Sequence, residues 1–307
     1  MLSGRIFITG GSGTLGRAIM RIALAEKWDC EFTAYARSES KLANLKSLFP
    51  KTKTIIGDVR DYDRLSAAVI GHDIVIHAAA LKRIPECEQH PTECIATNVV
   101  GSQNVIRACI AGEVKRCIGI STDKSCRAIT CYGASKLCME KLFQAQADGP
   151  CIFTLVRYGN VVASNGSVIP LWRQQAKEGK AISVTRMDAT RFWMGESDAV
   201  KLIERAGSAI IPNNVILVPK MRSLSLAELA HIIAPGAELI ETGFRSVEKL
   251  HEDLISSDEA AWCVGDDHFI IAAHGDSPDR LSYTSYDAPR LTPQAFRAML
   301  AEAESHE

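Results

Sequence analysis

Hydrophobic residues along this chain follow two rhythms. Short, mainly apolar runs at residues 5–9, 31–35, 54–56, 73–77, 117–120 and 151–156 read as buried strands. Between them, apolar residues recur three and four apart. Examples are Leu15, Ile19, Ile22 and Ala23, and later Ile95, Val99, Val105, Ile106 and Cys109 within a long helical pattern over 91–111. Further helical patterns cover 61–70 and the stretch holding Tyr132 and Lys136. Strand and helix alternate to about residue 160, which predicts right-handed βαβ crossovers and a doubly wound parallel α/β sheet.

Beyond 160 the regularity breaks. Ser164-Asn165-Gly166-Ser167 is a loop signal, 168–179 and 196–207 read as helices and 215–218 as a strand. A helix over 225–234 starts from a capping box at Ser225 and Glu228. The expected organisation is a nucleotide-binding unit over 1–160, with segments near 192–220 returning to its sheet. A smaller α/β substrate lobe follows over 161–285, then a peripheral tail over 286–307 with a polar helix at Pro293–Glu304.

Composition narrows the function. The chain has 307 residues and a formal net charge of −1. No basic run offers a nucleic acid its usual footprint, so phosphate on any ligand must meet a few local cations or backbone N–H groups. The ten cysteines form no CxxC pair and no Cys/His metal spacing, and read as free thiols of a reducing cytosol. No apolar run is long enough to span a bilayer and no signal peptide opens the chain, so the expectation is a cytoplasmic protein without a metal site.

The candidate chemistry begins with the first strand, which runs into Gly10-Gly11-Ser12-Gly13-Thr14-Leu15-Gly16 and then a helix. Strand, glycine turn and helix in that order form a dinucleotide-binding entry, so the sheet is expected to be Rossmann-like. Gly10 allows the turn, Gly13 admits a pyrophosphate, and Gly16 lets helix pack on strand. The helix N-terminus turns free N–H groups toward the phosphates. After the second strand come Arg37 and Ser38 rather than an acid, which suits the 2′-phosphate of NADP better than the free ribose of NAD. Asp58, leaving the third strand, either accepts from the adenine amino group or caps a helix. The fourth strand opens into the small residues Ala78-Ala79-Ala80, and its His77 reads as a satisfied core histidine.

Ser121-Thr122-Asp123-Lys124 closes the fifth strand, and Tyr132 and Lys136 share one face of the following helix. A lysine ammonium beside the phenol is expected to lower its pKa and to hold a nicotinamide ribose, leaving tyrosine to exchange the proton of an alcohol during oxidation. Asp123 and Lys124 exceed what a plain alcohol dehydrogenase needs. They read either as a second proton-transfer station, for a C–H made acidic by an adjacent ketone and for a departing hydroxyl, or as a structural ion pair. As a base, Lys124 must be neutral, a shift expected from burial or from the nearby Lys136 cation.

The glycine-rich start and the Tyr-x3-Lys pair resemble extended short-chain dehydrogenases/reductases. His77-Ala78-Ala79-Ala80-Leu81-Lys82, Ser121-Thr122-Asp123-Lys124, Arg157-Tyr158-Gly159-Asn160-Val161, Thr190-Arg191-Phe192-Trp193 and Glu248-Lys249-Leu250-His251-Glu252 are similar to the inverting UDP-N-acetylglucosamine 4,6-dehydratases, over about residues 5–272. The resemblance implies an NADP-dependent hydro-lyase of bacterial sugar biosynthesis. Tyr132 serves C4, Asp123 and Lys124, with Thr122 beside them, serve C5 and C6, and Lys136 holds the nicotinamide ribose. It also implies that Val59, Ala78 and Val161 line the cofactor with Gly10 to Gly13, Arg37, Ser38 and Asp58. Lys82, Asn160, Ile169, Arg191, Arg245 and Glu248 match its substrate contacts, and a closed homo-oligomer is expected. Departures at Arg127-Ala128, Ala163 and Arg245-Ser246-Val247, and an insertion-like Asp188-Ala189, fall around the sugar nucleotide. A UDP-N-acetylhexosamine 4-epimerase needs only Tyr132 and Lys136, and a non-catalytic NADP-binding regulator needs neither.

Overall fold

A computed structural model describes residues 1–146, 149–162, 164, 168–244, 247–264, 267–273 and 281–305. The first half alternates as the hydrophobic pattern predicts. Strands β1 (Gly4–Thr9), β2 (Cys30–Ala36), β3 (Lys53–Ile56), β4 (Ile74–His77), β5 (Arg116–Ile120) and β6 (Ile152–Val156) are joined by helical segments. These are α1 (Thr14–Ala25), α2 (Glu39–Leu48), α3 (Tyr62–Val69), α4 (Ile84–Gln89), α5 (Pro91–Ile95), α6 (Gly101–Ala111) and α7 (Cys131–Gln144). The pattern over 91–111 is not one regular helix: a π-helical turn at Ala96–Val100 separates α5 from α6.

The second half contains β7 (Asn160–Val161), α8 (Val168–Lys177), β8 (Ile182–Val184), β9 (Thr190–Met194), α9 (Glu196–Ala206), β10 (Val215–Pro219) and β11 (Arg222–Ser225). It continues with α10 (Leu226–Ile233), β12 (Leu239–Glu241), β13 (Asp253–Ile255), β14 (Ala261–Val264), β15 (His268–Ile271), β16 (Tyr283–Thr284) and α11 (Pro293–Glu304). The capping box at the start of α10 forms as expected, with both reciprocal bonds between Ser225 and Glu228. Of the expected loop at 164–167, only Ser164 falls within the described residues.

The large sheet has the order β3-β2-β1-β4-β5-β6-β10-β15-β14. Its strands are parallel from β3 through β10, so β10 returns to the sheet beside β6 as expected. The edge departs from the all-parallel expectation: β15 and β14 form an antiparallel pair there. Reversal of strand order between β1 and β4 opens a crevice at their carboxyl ends, the usual ligand position in such sheets.

Two hydrophobic clusters hold the molecule together. One surrounds the large sheet and includes Ile6, Phe7, Ile76, Ile118, Phe153 and Leu217. The other lies in the smaller lobe, around Trp172, Trp193, Leu229 and Phe296. Phe296 and Leu300 of α11 belong to it and Ala303 of the same helix is buried, so this helix is part of the second core and the expectation of a peripheral tail is corrected. Among the described residues no helix is long and apolar enough to cross a membrane.

Candidate active site

The glycine turn shapes one end of the site. Gly10 has φ +69°, and a Cβ there would sit 2.9 Å from the backbone of Ala79, so only glycine fits between the first turn and the loop after β4. A Cβ on Gly16 would run into the backbone of Gly11, which is how α1 packs onto the turn. At Gly13 the nearest such contact is Gly10 O at 3.1 Å, and no side chain caps α1, which leaves its first N–H groups available to an anion.

From this turn a cavity of about 970 Å³ runs across the sheet's carboxyl end into the smaller lobe. Gly10, Thr14, Leu15, Arg37, Asp58, Val59, Ala78 and Val161, the residues expected beside a cofactor, all line this cavity. Gly11, Ser12, Gly13 and Gly16 make the turn beneath rather than the wall. The Ser38 hydroxyl caps α2, accepting from Lys41 N at 3.4 Å, and Ser38 does not line the cavity. Asp58 caps no helix; Asp61 does so for α3. Burial pushes the Asp58 carboxyl up, but bonds from Arg60 and the charges of Arg60 and Arg37 hold it below its ordinary pKa. Arg37 lies 3.9 Å from Asp58 and is more than half exposed. A cradle that excludes side chains, an uncapped helix start and a cation at the far end fit a dinucleotide phosphate.

Across the cavity stand Thr122, Lys124, Tyr132 and Lys136. The hydroxyl of Thr130 caps α7, accepting from Gly133 N at 2.8 Å, and fixes the turn that presents Tyr132. Asp123 and Lys124 form a 3₁₀ turn just after β5, with Asp123 N donating to Tyr158 O at 3.0 Å. Asp123 is fully buried; its Oδ1 accepts from Lys124 Nζ at 2.8 Å and from Thr122 Oγ1 at 3.0 Å. Its Oδ2 is buried with no hydrogen-bond partner among the described residues.

Two electrostatic expectations change here. Burial alone would lower the Lys124 pKa, but the carboxylates of Asp123 and Glu252 outweigh it and raise it above the ordinary value. Lys124 at rest is therefore an ammonium rather than a neutral base. Tyr132 is pushed up to about 12 by burial, against the pull of the Lys124 cation and the Thr122 hydroxyl. The cation that acts on the phenol is Lys124. Lys136 is buried, points its Nζ at Met139 Sδ 2.9 Å away, and is pushed down to about 8 by burial.

Of the expected substrate contacts, Lys82, Asn160, Arg191 and Glu248 reach the cavity. Asn160 donates to Phe192 O at 3.1 Å, and Arg191 donates to Thr190 O, Leu250 O and Glu248 Oε1 at 2.8, 3.1 and 3.0 Å. Ile169 does not: it is buried in the second core, while Val168, Leu171 and Trp172 of the same helix face the cavity. Arg245 lies outside the described residues.

Several further residues support the site from behind its walls. Asn98, in the π-helical turn, accepts from Leu81 N and donates to Leu81 O, both at 2.8 Å, and so pins the loop after β4. It also donates to Ser135 Oγ at 2.9 Å, tying that loop to the helix of Tyr132. Arg157 is buried between Glu140 and Glu259, bonded to each at 2.7 Å, while Ser121 and Ser125 donate to Glu140 at 2.5 and 2.8 Å. This network braces the Asp123–Lys124 turn from below. His77 is the satisfied core histidine expected, bonded to Thr9 and Ser102 at 2.8 and 2.9 Å.

The chain resembles named proteins over most of its length. A family described as polysaccharide biosynthesis protein matches residues 6–273. The UDP-N-acetylglucosamine 4,6-dehydratase (inverting) of Campylobacter jejuni is 42% identical over 262 residues, covering 83% of this chain and 78% of that protein. The UDP-glucose 4-epimerase of Rickettsia massiliae is 40% identical over 271 residues, covering 83% and 79%. Among solved structures, the Pen protein of Bacillus thuringiensis superposes with a TM-score of 0.88 at 31% identity, covering 98% of each chain. A dTDP-glucose 4,6-dehydratase of Streptomyces venezuelae, solved with NAD, superposes with a TM-score of 0.71 at 21% identity over 80% of this chain and 86% of its own, which shows a shared fold. With the Rossmann-like sheet of extended short-chain dehydrogenases/reductases and a match that spans most of its sequence, the chain belongs to the polysaccharide biosynthesis protein family.

Proposed function

We propose that this protein is an NADP-dependent hydro-lyase that removes water from UDP-N-acetylglucosamine across C5 and C6, with inversion at C5. The observation that carries this reading is the Asp123–Lys124 pair, held at 2.8 Å after β5, with Lys124 in the same cavity wall as Tyr132. An epimerase that only oxidises and reduces C4 has no use for it. Identity of 42% to a dehydratase of that name supports the same reading.

When bound, NADP supplies the redox capacity, taking two electrons at C4 and returning them at C6. The residues do the rest. The glycine turn and the start of α1 hold the pyrophosphate, Arg37 the 2′-phosphate, and Lys136 the nicotinamide ribose. Tyr132 exchanges the C4 hydroxyl proton, helped by the Lys124 cation and the Thr122 hydroxyl, which both favour its phenolate. Such a positioned acid–base group contributes roughly 10²–10⁴-fold. Loss of the C5 proton and of the C6 hydroxyl falls to Asp123 and Lys124. Arg191, with Glu248 as its brace, suits the diphosphate of the sugar nucleotide. In the same reading residues 1–160 carry the dinucleotide and 161–285 the sugar nucleotide.

Incubation with UDP-N-acetylglucosamine in heavy water tests it. The expected product has lost one water, carries a 4-keto-6-deoxy sugar and has gained solvent deuterium at C5. A hexosamine epimer of unchanged mass overturns the proposal in favour of 4-epimerisation, the reading that the 40% identity to a named UDP-glucose 4-epimerase supports.

A further inference from the structure

Glu252 follows His251 in the segment before β13 and was quoted above only as part of a sequence resemblance. It is 5% exposed. Its Oε1 lies 3.6 Å from Lys124 Nζ and 3.8 Å from Arg191 Nε, too far for good hydrogen bonds and close enough for strong Coulomb attraction in a buried place. Its Oε2 is buried with no hydrogen-bond partner among the described residues. Buried carboxylate oxygens are ordinarily hydrogen-bonded, so this one calls for an explanation. The residue is anchored by its backbone, where Glu252 N donates to Ser285 Oγ at 2.9 Å, while its charge is left facing the active-site lysine.

We propose that Glu252 is a positioning residue: with Asp123 it holds Lys124 as an ammonium in the wall between the main cavity and a side cavity of about 370 Å³. Lys124 and Arg191 line both cavities, and Glu252 lines the smaller one. The charged and titratable groups facing Lys124 are Asp123 on its own turn, Glu252 ahead of β13, Arg191 on β9 and Tyr132 on α7. Arg191 opposes the two carboxylates but is itself neutralised by Glu248 at 3.0 Å. Asp123, on the same turn, is bonded to the lysine whatever the smaller lobe does. Glu252 belongs to the segment that also carries the Glu248 brace of Arg191, so it links the charge of Lys124 to the packing of the sugar-nucleotide side. The inference deepens the dehydratase reading, but its primary test needs no substrate.

The test is competitive labelling of the Lys124 amine by an acylating reagent across pH, read by mass spectrometry of the Lys124 peptide. Glu252→Gln is expected to lower the midpoint by about one to three pH units, the usual effect of one opposite charge at this distance. Glu252→Asp keeps the charge and is expected to stay nearer the unmutated protein. Equal midpoints in the unmutated and Glu252→Gln proteins, or equal displacement by Gln and Asp, overturn the proposal. Where Glu252→Gln does not fold, NMR of the unmutated protein decides. The Lys124 ¹⁵Nζ signal should move as the Glu252 carboxyl carbon titrates, and a signal that ignores that titration overturns it. A protein that fails to dehydrate UDP-N-acetylglucosamine but shows the expected labelling refutes the substrate reading and leaves the positioning role standing.

Discussion

Lys124 and Lys136 face the same cavity with opposite electrostatic fates. Lys136 is buried and Lys124 largely so. Lys136 has a thioether for its nearest partner, and desolvation pushes it down to about 8. Lys124 has two buried carboxylates, and they raise it despite the opposing push of burial. Burial therefore does not determine the charge of an active-site lysine; the count of counter-charges buried with it does. The same cavity holds one lysine poised near neutrality and another locked as a cation, which fits two stations with different tasks.

The largest effects should come from removing each station. Tyr132→Phe keeps the ring and deletes the proton, so C4 oxidation is expected to fall roughly 10²–10⁴-fold. Absorbance of reduced nicotinamide in a single turnover measures it. Lys124→Met is expected to stop water loss by a comparable factor while sparing C4 oxidation more. If Lys124→Met and Tyr132→Phe fail at the same step, the two stations are one.

Next come the stability consequences, which should differ in sign. Lys124→Met leaves Asp123 and Glu252 buried without their shared cation, an expected loss of about 3–5 kcal/mol by denaturant unfolding. Lys136→Met removes a penalty instead. The Lys136 pKa falls from an ordinary 10.5 to about 8 on folding, so the unfolded chain binds the extra proton between those values. Stability contributed by this group rises with pH across that window and is lowest below pH 8. At neutral pH Lys136→Met is expected to stabilise the cofactor-free protein by up to about 3 kcal/mol. For Lys124 the sign reverses: its contribution is present below the unfolded value of 10.5 and is lost as pH rises through its higher folded pKa. A Lys136→Met protein that melts lower than the unmutated one contradicts the contrast.

The contrast also marks where sequence reading stops. Alternating periods were enough for the parallel core of the sheet, and the glycine turn and Tyr132 helix fell where their spacing put them. The antiparallel edge at β14 and β15 was not legible: Ala261–Val264 and His268–Ile271 are mainly apolar, but runs of four residues carry no sign of which strand they pair with or in which direction. Ile169 lies in the second core with Trp172, while Val168 and Leu171 of the same helix line the cavity, a phase that one turn of sequence does not fix. For α11 the signal existed: Phe296, Leu300 and Ala303 recur at helical spacing, with Gln294, Arg297, Glu302 and Glu304 as the polar positions. The buried pairings of Glu140 with Arg157 and of Glu252 with Lys124 were invisible for another reason. A carboxylate in a helix or loop reads as solvated face, and only the fold brings it against a lysine or arginine distant in sequence.

The smallest expected effect lies at the far end of the cavity, where charges are exposed rather than buried. Arg37 stands 3.9 Å from Asp58 and is 55% exposed, so water and salt weaken whatever it binds. Asp58 is already held by Arg60, whose Nε and Nη2 lie 2.9 and 2.6 Å from Oδ2. Arg37 is thus free to turn toward a 2′-phosphate without stranding an unpaired carboxylate. Arg37→Ala is expected to weaken NADP binding roughly 10-fold, the worth of one charge-assisted bond, while leaving NAD binding nearly unchanged. Raising the salt concentration should shrink the difference, as it would not for Lys124 behind its buried carboxylates. Titration of each cofactor into the unmutated and Arg37→Ala proteins by calorimetry measures this. Equal losses for NAD and NADP would make Arg37 a general support of the β2 turn rather than the group that reads the 2′-phosphate.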